Sequence, residues 1–484
     1  MNAQVRNWRR PAQTVLASAA LALAAVTAGP GGAAQAQQAG GQPPACAQPP
    51  SPTPPAPSPT TITSIEQAYY CVFTNYYSGP ELDDQTLLAG AFAGLTQELD
   101  QLGLDQPDAT MPALTGNHDS DWAAFAAVYD QVVSHAHPSA AQQQDLAAAT
   151  MTGMIASLHD DHAIWEYQET PPGWKPGDEY DLGISTSPFF LLTDSAPAEA
   201  LPPLYVTRTN PGSPAASAGI RPGDVIESVN GTPPFADGQL SPGAISPLAL
   251  NAYPLPAHVT LQLQRPATGH TWTVTLTPAL YTGSAPPVSA TLMNGNIAYV
   301  ALPQFSGGAI TQAMSAIASL GKQAHLRGLI LDLRGNTGGS PDAEATLLGA
   351  FEHGQAISYD CDVQGNCTAN YPDASTPLLH LPLVVLTSRN CFSACEAFSG
   401  AVKDLHLGTL VGTRTAGIVS GPLSGYLLDD GSVLGLPAKH ELSADHEIIN
   451  GIGVAPDYYI PLTAWDVSTG HDPDLAKALT LLRG

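Results

Sequence analysis

The chain has 484 residues, of which 44% are hydrophobic, so it is long enough for two or three domains and too apolar for an intrinsically disordered protein. It carries 42 acidic residues against 16 lysines and arginines, which gives a formal net charge of -26. Nucleic-acid binding needs a basic surface, so this charge balance excludes nucleic acid as an expected partner.

Residues 1–36 have the features of a signal peptide. Arginines precede an apolar stretch at 14–28, which is shorter than the roughly 20 residues that span a bilayer. An A-x-A site follows, with cleavage expected after Ala36. An uncleaved anchor is the alternative. Residues 37–61 are rich in proline and alanine and are typical of an extended linker. We therefore expect an exported protein, periplasmic or extracellular, without stable membrane insertion after cleavage.

The cysteine content supports export to an oxidising compartment, where disulfides persist. No spacing of cysteine and histidine is typical of a zinc site. Free buried thiols are the alternative to disulfides. The pairs that the spacing favours are Cys361 with Cys367, Cys391 with Cys395 and, from the remaining two, Cys46 with Cys71.

Residues 62–170 are predicted to form an N-terminal helical domain. Three segments in this range carry apolar residues at helical spacing: "LLAGAFAGLTQELDQL", "DWAAFAAVYDQVVSHA" and "AAQQQDLAAATMTGMIASL". The helical pattern ends near His162.

A second unit is predicted at 178–282. Its segment "NPGSPAASAGIRPGDVIESVNG" contains a short helix before a strand, and two later strands alternate apolar and polar residues. This unit resembles a PDZ domain. The resemblance implies that Leu182, Gly183 and Ile184 form a loop that holds a peptide carboxylate while the peptide adds a strand to the sheet. The alternative is a PDZ fold that serves only as a packed spacer.

The third unit, at 286–484, alternates buried strands with helices, which is typical of an α/β domain. A hairpin is predicted with its turn at 429–431, and "DPDLAKALTLL" predicts a closing helix.

Two strand ends in this unit carry residues that suit acyl-transfer chemistry. In "LDLRGNTGGSP", Gly338 and Gly339 can present backbone N–H groups at a helix N-terminus, where a developing oxyanion is stabilised. In "VVLTSRNCFSACEAFSGAVKD", Ser393 stands where a helix begins. Glycines in such turns often serve geometry alone, and Ser393 with Glu396 also matches a capping box.

Together the two motifs resemble the catalytic domain of the carboxyl-terminal processing peptidases and their tricorn-type relatives, a serine peptidase family. The resemblance covers residues 62–484 and implies a multidomain α/β fold with a helical domain, a PDZ domain and a crotonase/ClpP-like catalytic domain. It also implies that Ser393 is the nucleophile, that Ala394 supplies a further oxyanion N–H, and that no metal or organic cofactor is needed. The Cys391–Cys395 bridge, if formed, would then rigidify the nucleophile turn.

The sequence departs from the family pattern at the residue that would act as the general base. Processing peptidases commonly use a lysine after the serine, but the matching position here is Ile418. Tricorn-type enzymes use a histidine before the PDZ domain, and His162 matches that position. Histidine has a suitable pKa for a general base near neutral pH. The alternative is a solvated histidine at a helix end.

A base also needs an orienting group. The family often has a glutamate where this chain has Asn450, whose carbonyl can accept a hydrogen bond from an imidazole. Asp161, Asp445 and Glu447 are possible substitutes.

We expect an exported serine endopeptidase that acts on peptide or unfolded protein substrates captured by the PDZ domain. The sequence indicates no oligomeric state. The competing expectation is a catalytically weak or inactive relative that binds peptides, and Asn450 and the missing lysine favour it.

Overall fold

The computed structural model describes residues 46–47, 57–167, 169, 171–175, 177–187, 201–248, 255–283 and 287–483. The predicted signal peptide and most of the predicted linker lie outside these residues. Within the described ranges, no helix is both long and apolar enough to cross a membrane.

Residues 57–167 form a helical region, as the periodicity predicted. Its helices are α1 (Ile62–Asn75), α2 (Asp84–Leu102), α3 (His118–Ala136) and α4 (Ala140–Ala156). Helices α2 and α4 pack with their backbones in contact, since a Cβ at Gly94 would lie 2.1 Å from the carbonyl oxygen of Ala149. Small residues on both helices therefore decide how closely they approach.

A short strand, β1 (Ile164–Glu166), follows the helices and leaves the helical region. It pairs with a hairpin from the far end of the chain, and Ile164 stands opposite Gly435. Trp165 is buried in the same hydrophobic core as Leu434 and Leu436 of that hairpin. The helical region and the third unit thus share a core.

The second unit is built on a five-stranded antiparallel sheet of order β3-β4-β5-β8-β9, with β2 and β10 paired beside it. The elements are β2 (Asp178–Asp181), β3 (Ile184–Ser187), β4 (Tyr205–Thr209), α5 (Pro214–Ser217), β5 (Val225–Val229), β6 (Phe235–Ala236), β7 (Gln239–Leu240), α6 (Pro242–Ile245), β8 (Val259–Arg265), β9 (His270–Leu276) and β10 (Ala279–Thr282). The predicted strands and the helix at "SPAASAG" are confirmed.

The third unit contains a six-stranded sheet of order β11-β12-β13-β16-β17-β21, parallel except for β11. Its elements are β11 (Ser289–Met293), β12 (Ile297–Ala301), α7 (Gly307–Gln323), β13 (Gly328–Asp332), α8 (Pro341–Leu348), β14 (Ser358–Cys361), β15 (Cys367–Asn370), β16 (Leu383–Thr387), α9 (Ala394–Asp404), β17 (Gly408–Gly412), β18 (Leu423–Leu427), β19 (Val433–Pro437), β20 (His440–Ser443), β21 (Tyr458–Tyr459), α10 (Ala464–Thr469) and α11 (Pro473–Leu481). The predicted hairpin is β18–β19, and the predicted closing helix is α11.

The centre of this sheet explains where a site can form. Strands β13 and β16 are neighbours, run parallel and are buried along their whole length. Their carboxyl ends therefore release the segments 333–340 and 388–394 at one edge of the sheet, the usual place for a site in an α/β domain.

The second unit packs on the third at this edge. The side-chain amide of Asn390 donates to the carbonyl of Thr186 in β3 at 3.3 Å. Further away, the hydroxyl of Tyr205 donates to the carbonyl of Leu462 at 3.1 Å. The PDZ-like sheet thus touches the turn that follows β16.

The cysteines pair as their spacing favoured, and none is free among the described residues. The bonds are Cys46–Cys71, Cys361–Cys367 and Cys391–Cys395.

Candidate active site

Ser393 lies in the tight turn between β16 and α9, with φ 53° and ψ -125°. It occupies the N-cap position of α9, but its side chain makes no hydrogen bond to the helix N-terminus. The expected capping box with Glu396 is therefore absent. The reason is the backbone: a residue that caps with its side chain has extended dihedral angles, and Ser393 does not.

Backbone hydrogen bonds hold this turn from several sides. The N–H of Ser393 donates to the carbonyl of Ile418 at 2.7 Å, and its carbonyl accepts the N–H groups of Glu396 at 2.7 Å and Ala397 at 3.0 Å. The N–H of Phe392 donates to the carbonyl of Asn336 at 3.1 Å. The hydroxyl of Ser393 itself makes no hydrogen bond to the described residues.

The side chain of Glu396 does not form the capping box that the sequence suggested. Its buried carboxylate accepts hydrogen bonds from the hydroxyl of Thr415, from the N–H of Gly417 at 2.6 Å and from the N–H of Ile418 at 2.6 Å. Burial raises the pKa of Glu396 to about 7, although these hydrogen bonds oppose the shift. The side chain thus ties the segment 415–418, which we call the strap, to the first turn of α9.

The glycine turn after β13 lies directly against Ser393. A Cβ at Gly338 would lie 2.8 Å from Cβ of Ser393 and 2.7 Å from the carbonyl oxygen of Phe392. The φ of Gly338 is +83°, so glycine is required here both for conformation and for space.

The predicted oxyanion donors differ in what their N–H groups do. The N–H of Gly338 donates to the side-chain oxygen of Asn336 at 2.8 Å, and the amide of Asn336 donates to the carbonyl of Leu302 at 2.8 Å. For Gly339 and Ala394, no hydrogen bond from the N–H to another described residue is found. Two of the three predicted donors are therefore unengaged.

His162 follows α4 and precedes β1. Its N–H donates to a carboxylate oxygen of Asp160 at 2.9 Å, and the hydroxyl of Tyr76 donates to the other oxygen at 3.0 Å. The ring Nδ1 is excluded from solvent and has no partner among the described residues. Burial lowers the pKa of His162, against the opposing charges of Asp160 and Asp161. Burial thus favours the neutral form of the imidazole over the charged form.

His162 lies in the turn that leads into β1, and β1 joins the hairpin that follows the strap. Ile164, two residues after His162, stands opposite Gly435 in β19, and β19 pairs with β18. The strap ends just before β18, and its Ile418 carries the carbonyl that binds Ser393. No hydrogen bond joins His162 to Ser393, both of which are described.

Asn450 reaches the strap from the other side. Its side-chain oxygen accepts the N–H of Val419 at 3.1 Å, and the next residue, Gly451, donates its N–H to the carbonyl of Gly417 at 2.6 Å. No hydrogen bond between Asn450 and His162 is found in the described residues. Asn450 is therefore held close to the segment that binds the nucleophile turn.

Asp445 and Glu447, two other candidates for the group that orients the base, make no hydrogen bond to His162 among the described residues. The N–H of Asp445 donates to the carboxylate of Asp404 at 3.2 Å, and Glu447 is exposed.

The PDZ-type loop is partly occupied by the chain itself. The carboxylate of Asp181 accepts the N–H of Gly183 at 2.6 Å and the hydroxyl of Tyr281 at 2.6 Å. Leu182 and Ile184 are each 2% exposed and belong to the core of the unit. A carboxylate thus already sits on one of the loop N–H groups expected to hold a peptide terminus.

Within the described ranges, no group of three or more histidine, cysteine, aspartate or glutamate side chains is arranged to hold a metal ion.

Comparisons with known proteins agree with this architecture. Residues 296–460 match the model of peptidase family S41, and residues 205–242 match that of the PDZ domain. The chain is 33% identical over 265 residues to the C-terminal processing peptidase, chloroplastic, of Tetradesmus obliquus, covering 51% of this chain and 54% of that protein. It is 28% identical over 287 residues to a protein of Streptomyces coelicolor named as a tricorn protease homolog, covering 56% of this chain and 22% of that protein.

A solved structure supports the fold alone. The crystal structure of mature CPAF aligns with a TM-score of 0.52 at 14% identity and covers 87% of this chain and 97% of that chain. The chain spans about half the length of the curated relative from Tetradesmus obliquus that it matches, 54%. It therefore has a peptidase family S41 domain and a PDZ domain, and the resemblance of its sequence to the carboxyl-terminal processing and tricorn-type peptidases is confirmed.

Proposed function

We propose that this protein is an exported serine endopeptidase that cleaves peptide bonds through an acyl-enzyme on Ser393, with His162 as the general base. The observation that carries the proposal is the backbone of Ser393, which has a positive φ at the N-terminus of α9. Such a conformation costs a non-glycine residue about 1–3 kcal/mol and persists where function depends on it. The turn leaves the hydroxyl free of the capping bond that would otherwise occupy it.

In the proposed reaction, Oγ of Ser393 attacks the peptide carbonyl and passes its proton to the imidazole of His162. The tetrahedral oxyanion is held by the N–H groups of Gly339 and Ala394 and by the positive end of α9. Gly338 joins them when its N–H leaves Asn336. His162 returns the proton to the leaving amine, and water then releases the acyl group by the same steps in reverse.

The lowered pKa of His162 supports its role as a base, because an imidazole must be neutral to take a proton. We assign Asn450 to the orientation of His162. A carbonyl oxygen has two lone pairs, so Asn450 can accept from the imidazole without releasing the N–H of Val419.

The substrate in this proposal is an extended peptide or unfolded protein segment. Strand β3 stands at the edge of its sheet and is bonded through Thr186 to Asn390 in the nucleophile turn. A peptide added beside β3, with Leu182, Gly183 and Ile184 at its end, would be held next to the proposed site. Export is supported by the signal-peptide pattern and by the pairing of the described cysteines.

A second candidate is a peptide-binding protein without peptidase activity. It is favoured by the lack of a hydrogen bond between Ser393 and a base, and by the engagement of Gly338 and Asn450 with other partners.

Cleavage of fluorescein-labelled casein by wild type, Ser393→Ala and His162→Ala separates the two. His159→Ala is the matched control, because His159 is an exposed histidine near His162. We expect wild type and the control to cleave, and both site variants to lose activity while remaining folded. Cleavage by His162→Ala would contradict the assigned base, cleavage by Ser393→Ala would contradict the nucleophile, and no cleavage by wild type would favour the second candidate.

A further inference from the structure

The backbone of Ser393 stands apart from the other strained positions. Of the nine non-glycine residues with positive φ among the described residues, eight are histidine, asparagine or aspartate. Those types are enriched in this region of conformational space, whereas serine is not. Its ψ of -125° also lies outside the left-handed helical region and matches the first central residue of a type II′ turn, where glycine dominates. Something besides local preference must hold Ser393 there.

A disulfide encloses this residue. Cys391 and Cys395 flank Ser393 at equal distance in sequence, are bonded to each other and have Cα atoms 5.4 Å apart. Both cysteines are 0% exposed. The bond therefore closes a small ring around the proposed nucleophile.

The ring contacts the rest of the structure on two sides. The carbonyl of Cys391 accepts the N–H of Ala416 in the strap at 3.1 Å. On the other side, the sulfur of Cys395 lies 3.8 Å from the carbonyl oxygen of Leu333, the residue that follows β13. The ring is thus hydrogen-bonded to the strap and in contact with the segment that leads from β13 to Gly338.

We propose that the Cys391–Cys395 disulfide positions Ser393 for catalysis by preventing the turn from relaxing, so that the peptidase works only once this bond has formed. The inference rests on the function proposed above. Without the bond, the turn has a lower-energy alternative in which Ser393 takes an extended backbone and its hydroxyl caps α9, completing the box with Glu396 that the sequence matches. A capping hydroxyl is engaged with the helix and is a poorer nucleophile.

The chemistry of the switch is thiol–disulfide exchange. A dithiol reductant donates two electrons and two protons to the Cys391–Cys395 bond, which becomes two thiols, while the dithiol closes to its own disulfide. A chain newly made in a reducing compartment would lack the bond and stay inactive. After export, a disulfide-bonded oxidant accepts two electrons and two protons from the Cys391 and Cys395 thiols, becomes a dithiol itself and leaves the Cys391–Cys395 bond closed, which switches the nucleophile on.

The test compares Cys391→Ala/Cys395→Ala with Cys361→Ala/Cys367→Ala. The control pair removes a disulfide whose Cys367 is exposed and which closes a hairpin between β14 and β15. We expect the site pair to lower kcat for casein cleavage and the rate of fluorophosphonate labelling by about tenfold or more, with KM within about twofold. The control pair should leave all three values near those of wild type. A folded site pair with wild-type kcat and labelling would overturn the inference.

Hydrogen exchange supplies a readout that does not depend on activity. Peptides that cover 389–398 and 414–420 should exchange faster in the site pair, because the bond from Ser393 to Ile418 loosens, and should be unchanged in the control pair. Unchanged exchange in the site pair would overturn the proposed role of the disulfide even if wild type proves inactive. The measurement therefore separates failure of this inference from failure of the proposed function. If the site pair does not fold, partial reduction of wild type is followed by mass spectrometry. Full activity in molecules whose Cys391–Cys395 bond is open would overturn the inference, and loss that follows this bond would support it.

Discussion

Replacing Gly338 by alanine measures how closely the glycine turn is fitted to the nucleophile turn. The new Cβ would lie 2.7 Å from the carbonyl oxygen of Phe392 and 2.8 Å from Cβ of Ser393. Overpacking of this kind costs about 1–3 kcal/mol. The φ of +83° adds about 1–2 kcal/mol, because a side chain clashes with its own backbone in that region. We expect Gly338→Ala to lower the free energy of unfolding by about 2–5 kcal/mol in total.

Gly335→Ala is the matched control, from the same turn. Gly335 has a φ of +76°, but a Cβ built there meets no atom within 4 Å. Only the backbone penalty of about 1–2 kcal/mol should remain. Urea unfolding measures both variants, and fluorophosphonate labelling measures the nucleophile. We expect only Gly338→Ala to slow labelling, by about tenfold or more. Equal labelling of the two variants would refute the argument that Gly338 sets the position of Ser393.

Four more expected outcomes concern His162, Glu396 and Asp181. Burial lowers the pKa of His162, so the acid limb of kcat/KM should lie below the histidine value of 6.5; a limb that lies above 6.5 would contradict this base. Glu396→Gln leaves the N–H of Ile418 or Gly417 facing an amide donor, and should lower the free energy of unfolding by about 1–3 kcal/mol in urea titrations. Burial raises the pKa of Glu396 from 4.5 to about 7, so the folded state keeps this proton to a higher pH than the unfolded state does. The stability advantage of wild type over Glu396→Gln should therefore shrink as pH rises through that window, and an advantage that grows would contradict the shift. Asp181 already occupies a loop N–H, so Ser393→Ala protein should bind a fluorescent alanine-rich peptide and its amidated form within about twofold by anisotropy, and a strong preference for the free carboxylate would refute that interpretation.

Much of the fold could be predicted because its signals are local. The helices of the N-terminal region, the strands of the PDZ unit and the buried strands β13 and β16 all follow from hydrophobic periodicity. Strand β1 was not predicted. It has three residues, too few for a periodicity, and its partner β19 lies far along the chain.

The residues of the site that lie in the two sequence motifs could be predicted. Ser393 and Gly338 lie in contact, as two strand ends in one sheet require. The role of Glu396 could not be read, because a capping box and a buried anchor for the strap have the same local pattern.

Asn450 and Asp181 show the same limit. The sequence suggested a role for Asn450 and none for Asp181, yet each uses its side-chain oxygen to accept a backbone N–H: that of Val419 for Asn450, and that of Gly183 for Asp181. A side chain's role depends on which unsatisfied donors lie within reach, and that follows from tertiary packing.

Peptide mapping after fluorophosphonate treatment identifies the nucleophilic residue without assuming a substrate. Wild type, Ser393→Ala, His162→Ala and His159→Ala are treated side by side. We expect one adduct on Ser393 in wild type and in His159→Ala, none in Ser393→Ala, and a much slower adduct in His162→Ala. An adduct on another residue, or casein cleavage by a folded Ser393→Ala protein, would contradict the assignment of Ser393 as the nucleophile.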